Sequence, residues 1–194
     1  MKRIFDIGLF AVLFVPVTIM IWFLSLLILF VDGFSPFHFQ YRIGKNGKSF
    51  LCYKLQTMRP PKHDSLIGER EKDFQRTTKL GKVIRDHGWD ELPQIFNVLF
   101  GEMSFVGPRP MLLKTLGRIK DKNPEIQDKI MLWQILRESV RPGISGLHQV
   151  QEGASIIECD LEYFQGLSYL RATQIVLRTL LVFFFGKSRK QAPI

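Results

Sequence analysis

The residues best equipped for chemistry are two adjacent acids, Asp90 and Glu91, in the run Trp89-Asp90-Glu91-Leu92-Pro93-Gln94-Ile95-Phe96-Asn97-Val98-Leu99. A carboxylate can act as a covalent nucleophile, and a pair of them can share a hard cation. Arg85 precedes them and Arg109 follows within Gly107-Pro108-Arg109-Pro110. Arginine supplies paired hydrogen bonds that match a phosphate group. Leu92, Ile95, Phe96 and Leu99 recur at helical spacing and predict one apolar face of a short helix. Asp90 stands at its expected start, and Pro93 is tolerable there because first-turn amides lack intrahelical partners. An ordinary structural role competes for the same oxygens, since Asp is a preferred N-cap and Glu complements the helix dipole.

The chain of 194 residues is long enough for one domain with a real core. Its 27 Lys and Arg exceed its 18 Asp and Glu, giving a net charge of +9 that favours phosphates, nucleic acid or anionic lipid. No nucleic-acid-binding motif is present, so the expectation is a membrane-facing basic surface and no nucleic-acid partner. Cys52 and Cys159 lie far apart without metal-ligand spacing, which fits a reducing compartment and excludes a disulfide framework.

From Ile7 to Val31 run 25 residues without a charge. As a straight helix this segment is about 38 Å long, enough to cross a bilayer core of about 30 Å. It is too long, and lacks the small-residue site, for a cleavable signal peptide. Pro16 divides it into pieces of 9 and 15 residues, each too short to span alone. Lys2 and Arg3 precede it, and Arg42, Lys45, Lys48 and Lys54 follow. Positive residues at both ends favour the cytoplasmic side, so a re-entrant hairpin broken at Pro16 is expected in preference to a single span.

Phe37–Phe39 and Phe50–Tyr53 read as short strands joined through Asn46-Gly47, a strong hairpin signal. Arg59–Lys72 is polar and aperiodic, and reads as a loop with the potential to act as a lid. Phe74–Arg85 predicts a helix, and another is expected from Pro124 to Leu136 or Arg137. Arg141-Pro142-Gly143-Ile144-Ser145-Gly146 is turn-rich, with glycines that allow close backbone approach. Ile175–Phe185 is apolar apart from Arg178 and Thr179, and a basic stretch follows. Eleven residues cannot span a bilayer, which leaves an interfacial helix or a core-packing one.

Several segments together resemble the bacterial sugar transferase family, the monotopic phosphoglycosyl transferases. They are Lys2-Arg3-Ile4-Phe5-Asp6 before the apolar run, Phe39-Gln40-Tyr41-Arg42-Ile43-Gly44, Tyr53-Lys54-Leu55-Gln56-Thr57-Met58 and Leu80-Gly81-Lys82-Val83-Ile84-Arg85. The Asp90–Pro110 block is the most specific, and Arg141–Gly146 with Gln149-Val150 completes the likeness. The chain departs from the family pattern at Gln56, at Gly88-Trp89, at Gln151-Glu152-Gly153 and near Ala172. Its length resembles the minimal catalytic form.

The resemblance implies transfer of a sugar 1-phosphate from a UDP-sugar to polyprenyl phosphate, releasing UMP, to start a surface glycan. It implies Asp90 as the nucleophile of a phosphosugar-aspartyl intermediate and Glu91 as its acidic partner. Mg2+ is then held by Asp90 and Glu91, with Arg85, Arg109 and Arg141 on substrate phosphate. The expected fold is mixed α/β, mostly helical. A re-entrant membrane helix occupies 1–33, a cytoplasmic, membrane-associated catalytic domain with a β-hairpin and interfacial helices 34–186, and a basic tail 187–194. The expected setting is the cytoplasmic face of the bacterial plasma membrane, in contact with lipid, with a homodimer possible. A catalytically silent membrane scaffold, binding polyprenyl phosphate or a partner enzyme, is the alternative expectation.

Overall fold

The computed structural model describes residues 2–60, 76–122, 124–150, 155–165 and 169–186. Most of the expected Arg59–Lys72 loop, the Gln151-Glu152-Gly153 departure and the 187–194 tail lie outside them, as does the side chain of Ala172. The architecture is mixed α/β and mostly helical, with two small two-stranded sheets.

Helix α1 spans Lys2–Leu27 with Pro16 inside it, and a π-helical turn carries it on to Asp32. The 31 residues are long and apolar enough to cross a membrane. Its surface divides unequally. Ile21, Leu24 and Ile28 enter a core with Leu55, Ile84 and Ile95, whereas Ile4, Val12, Ile19, Trp22, Phe23 and Phe30 remain exposed. Both ends are anchored on the same body. Arg3 donates to the carbonyls of Val98 and Leu99, and buried Asp6 accepts from Ser104 Oγ (2.9 Å) and the Phe105 amide (3.1 Å). At the other end Asp32 accepts from Thr78 Oγ1 at 2.8 Å.

Strands β1 (Phe37–Ile43) and β2 (Ser49–Leu55) form the expected antiparallel hairpin, with Arg42 opposite Phe50, Gln40 opposite Cys52 and His38 opposite Lys54. Asn46 and Gly47 both take positive φ (58° and 69°), which suits the right-handed strand twist. The hairpin is turned against the usual sense of its pattern. Phe37, Phe39 and Tyr41 face outward, while the polar positions share a face with buried Phe50 and Cys52. Two-residue periodicity therefore aims Arg42 and Lys54 into the molecule.

Helix α2 (Lys79–Asp86) is capped by Thr78, whose side-chain oxygen accepts from the Gly81 amide. It is shorter than the expected Phe74–Arg85 helix within the described residues. A 3-10 turn (Trp89–Glu91) and helix α3 (Gln94–Leu99) follow. Strand β3 (Ser104–Val106) pairs in parallel with β4 (Gly143–Ser145). Between them lie α4 (Leu113–Lys122) and α5 (Gln127–Ser139), the latter preceded by a 3-10 turn at Pro124–Ile126 as the proline suggested. Next come α6 (Leu147–Val150), α7 (Ile156–Gln165) and α8 (Tyr169–Phe185). Helix α8 packs one side into the core and leaves an apolar side exposed. Ile175 packs with Val106 and Tyr163, while Leu177, Leu180, Leu181, Phe184 and Phe185 are exposed.

Candidate active site

Gly88 adopts φ +69°, a left-handed conformation that reverses the chain after α2 and launches the Trp89–Glu91 turn. The turn closes through Glu91 N–H to Gly88 O and Leu92 N–H to Trp89 O, each 3.2 Å. Neither this turn nor α3 carries a side-chain N-cap bond. The capping role for Asp90 is thus not the one realised. Both acids precede the α-helix, and Pro93 takes the N-cap position of α3. Trp89 fixes the outer side of the turn. Its Nε1 donates to Phe183 O of α8 at 3.0 Å, and its ring stacks on His87 at 4.5 Å.

On the inner side, Glu91 Oε1 accepts from Lys54 Nζ and from an Arg109 guanidinium nitrogen, both at 2.7 Å. Lys54 Nζ lies 3.8 Å from Asp90 Oδ2. Arg42, Cys52, Lys54, Glu91, Gln94, Arg109 and Pro110 line a recess of about 210 Å³. Arg42 donates to Pro110 O (3.3 Å) and Gln40 Oε1 (2.6 Å), but its Nε is buried without a partner, as is Gln94 Oε1. Such orphaned buried groups are costly and call for a ligand or water. The charge on Glu91 pushes the Arg109 pKa upward against the opposing effect of burial. Desolvation moves Arg42 downward. Among the described residues, the cations Arg42, Lys54 and Arg109 gather around Glu91 and neighbouring Asp90, a concentration of positive charge that suits a phosphate-bearing ligand.

The arginines anticipated from the sequence part company. Arg109 reaches Glu91. Arg85 is exposed on α2, with a contact to Met58 Sδ at 3.1 Å, and Arg141 Nε donates to Gly101 O at 2.6 Å. Neither lines the recess. Lys54, Arg42 and Gln94 join the site without having been singled out for it. Strand alternation places Lys54 and Arg42 on one face, but does not state that this face is the one turned inward.

The Arg109 segment is held by its backbone. Gly143 N–H donates to Pro108 O, and Gly107 N–H to Ser145 O, both at 2.9 Å. A Cβ on Gly143 would fall 2.1 Å from Gly107 N. The close approach that Gly143 permits is therefore to a neighbouring chain segment.

Adjacent acids on a tight turn are met here by lysine and arginine, close to a helix long and apolar enough to cross a membrane. The model of the family described as "Bacterial sugar transferase" matches residues 1–186, and the chain belongs to that family. It is 35% identical over 159 residues to the UDP-glucose:undecaprenyl-phosphate glucose-1-phosphate transferase of Klebsiella pneumoniae, covering 77% of this chain and 32% of that one. A protein of the same description from Caulobacter vibrioides is 32% identical, covering 92% of this chain and 68% of the relative. The UDP-N-acetylgalactosamine-undecaprenyl-phosphate N-acetylgalactosaminephosphotransferase of Aeromonas hydrophila is also 32% identical, over 95% of this chain and 44% of its own length. The chain thus spans about a third of the Klebsiella relative.

Proposed function

We propose that this chain transfers a sugar 1-phosphate from a UDP-sugar to polyprenyl phosphate (undecaprenyl phosphate in the first instance), releasing UMP and initiating a surface glycan. The observation that carries this reading is the Asp90–Glu91 turn closed against Lys54 and Arg109 beside the unpartnered Arg42 Nε. The names of the relatives support the choice of donor and acceptor.

In the first displacement a carboxylate oxygen of Asp90 attacks the sugar-bearing phosphorus. The bond from that phosphorus to the bridging oxygen breaks, and UMP leaves with the electron pair. In the second, a phosphate oxygen of the polyprenyl phosphate attacks the same phosphorus, and the phosphorus–oxygen bond to Asp90 breaks. The products are a polyprenyl diphosphate sugar and a free carboxylate, with no net proton required. Two easier steps replace one hard one. Glu91, its Oε1 held by Lys54 and Arg109, serves as the acidic partner of Asp90. Those cations, with Arg42, offset the charge that develops on the leaving phosphate.

Magnesium fits the donor set. Among the described residues no third His, Cys, Asp or Glu completes a cage around the pair. Two carboxylates plus substrate phosphate oxygens suit an ion that keeps several waters. Asp90 and Glu91 would hold it, and it would supply further neutralisation of phosphate charge.

Helix α1 serves as a re-entrant membrane hairpin bent at Pro16, with the catalytic residues on the cytoplasmic face. A proline inside a helix bends it, and a straight helix of 26 residues would be about 39 Å long. Anchoring of both ends on one body supports the bent form, as do the basic residues at both flanks.

The test is UMP release by purified protein supplied with a panel of UDP-sugars, Mg2+ and undecaprenyl phosphate. Release is expected from at least one donor, Asp90→Asn should abolish it, and omission of the acceptor should leave a phosphosugar adduct on Asp90 detectable by mass spectrometry. Lipid binding without release or adduct would overturn the transferase reading in favour of a silent scaffold.

A further inference from the structure

Outside the recess, a buried carboxylate and a largely buried guanidinium meet between α5 and α7. Asp160 of α7 is 3% exposed, and its Oδ2 accepts from Trp133 Nε1 of α5 at 2.9 Å and from Arg137. Burial pushes the Asp160 carboxyl above its usual range, against the opposing pull of Arg137. The second arm of the Arg137 fork donates to the backbone carbonyl of Arg109, while its guanidinium lies 5.0 Å from the Trp133 ring centroid. Three consecutive carbonyls of the Gly107–Pro110 segment are thereby gripped: Pro108 by the Gly143 amide, Arg109 by Arg137 and Pro110 by Arg42.

Buried ion pairs seldom add net stability, because desolvating both charges offsets their attraction. The planar fork of arginine holds a carboxylate and a carbonyl at once in a fixed geometry, whereas a lysine ammonium on its flexible stem does not pre-organise the two bonds. From this geometry we infer that Arg137, oriented by Asp160, is a positioning residue for Arg109. It sets the backbone from which the Arg109 guanidinium reaches Glu91 and, on the transferase reading above, the phosphates of the donor.

The test compares wild type with Arg137→Lys and with the double variant Arg137→Met/Asp160→Leu. The double variant removes both buried charges together, the change best tolerated by a fold. Thermal midpoints are measured first. Expected is a double variant that stays folded, with the donor KM and the UMP dissociation constant each raised at least tenfold and kcat changed much less. Arg137→Lys should keep the ion pair and show the same KM shift. In addition, Arg109→Ala should weaken UMP binding in the wild-type background and add little in the Arg137→Lys background. A folded Arg137→Lys or double variant with wild-type KM and UMP affinity overturns the inference, as does an Arg109→Ala effect of equal size in both backgrounds. Absence of UMP release by wild type with every donor sinks the transferase reading instead. The UMP titration still reports whether Arg137 controls the phosphate site.

Discussion

Replacing Asn97 by leucine should separate the two halves of the candidate site. Asn97 is fully buried in α3, and its side chain makes three hydrogen bonds. Oδ1 accepts from the Tyr53 amide at 3.1 Å, while Nδ2 donates to Leu51 O and to Glu102 Oε2, both at 2.7 Å. The first two stitch the helix behind Asp90 and Glu91 to the strand carrying Lys54. Leucine fills a similar volume but can make none of them. Each neutral bond contributes about 1 kcal/mol, and the bond to the Glu102 carboxylate about 1.5–3 kcal/mol. The expected loss is therefore about 3–5 kcal/mol, a large share of the ~5–15 kcal/mol that holds a typical domain folded. For a chain of this size each kcal/mol moves the midpoint by about 2–4 °C, so a fall on the order of 10 °C is expected. Thermal unfolding followed by tryptophan fluorescence in detergent micelles measures it, with Leu99→Ala at the exposed end of the same helix as a control. A midpoint within 2 °C of wild type would refute the assignment of Asn97 as the stitch (an order-of-magnitude criterion). So would a control variant that falls equally far.

Three other outcomes follow from the same structure. Lys54→Met should raise the donor KM about tenfold or more and weaken the salt dependence of UMP binding, both measurable by isothermal titration and initial rates. Gly143→Ala should destabilise by about 2 kcal/mol or more, read as a lowered thermal midpoint, because its Cβ would collide with Gly107 N. Cys52 and Cys159 are buried and their thiols are pushed upward by burial, Cys159 to about 11. A coloured thiol reagent at neutral pH should therefore find neither in the native protein and both after denaturation.

The parts of the fold written in local pattern were legible. Asn46-Gly47 announced its hairpin, Pro124 its helix start, and the uncharged run from Ile7 its long apolar helix. The acidic pair stood out by residue type, but its surroundings did not. Arg85 and Arg109 are equally plausible along the chain, and only packing separates them: one ends on an exposed helix face, the other beneath Glu91. Lys54 and Arg42 were hidden because alternation states that two faces differ without stating which is turned inward. Here a charged recess reverses the ordinary assignment and leaves Phe37, Phe39 and Tyr41 outside. The parallel pairing of Ser104–Val106 with Gly143–Ser145 joins three-residue strands nearly forty positions apart, too short for any periodic signal. The Asp160–Arg137 pair was invisible for a related reason, since its meaning lies in a carbonyl belonging to a third segment.

Ile21, Leu24 and Ile28 share their interior with Ile84 and Ile95, which are synthesised some sixty residues later. The amino-terminal helix must therefore wait, partly unsatisfied, until those later residues leave the ribosome. Completion of this core is then tied to synthesis of the later segment, and cutting away the first thirty-odd residues would open the centre of the protein to water.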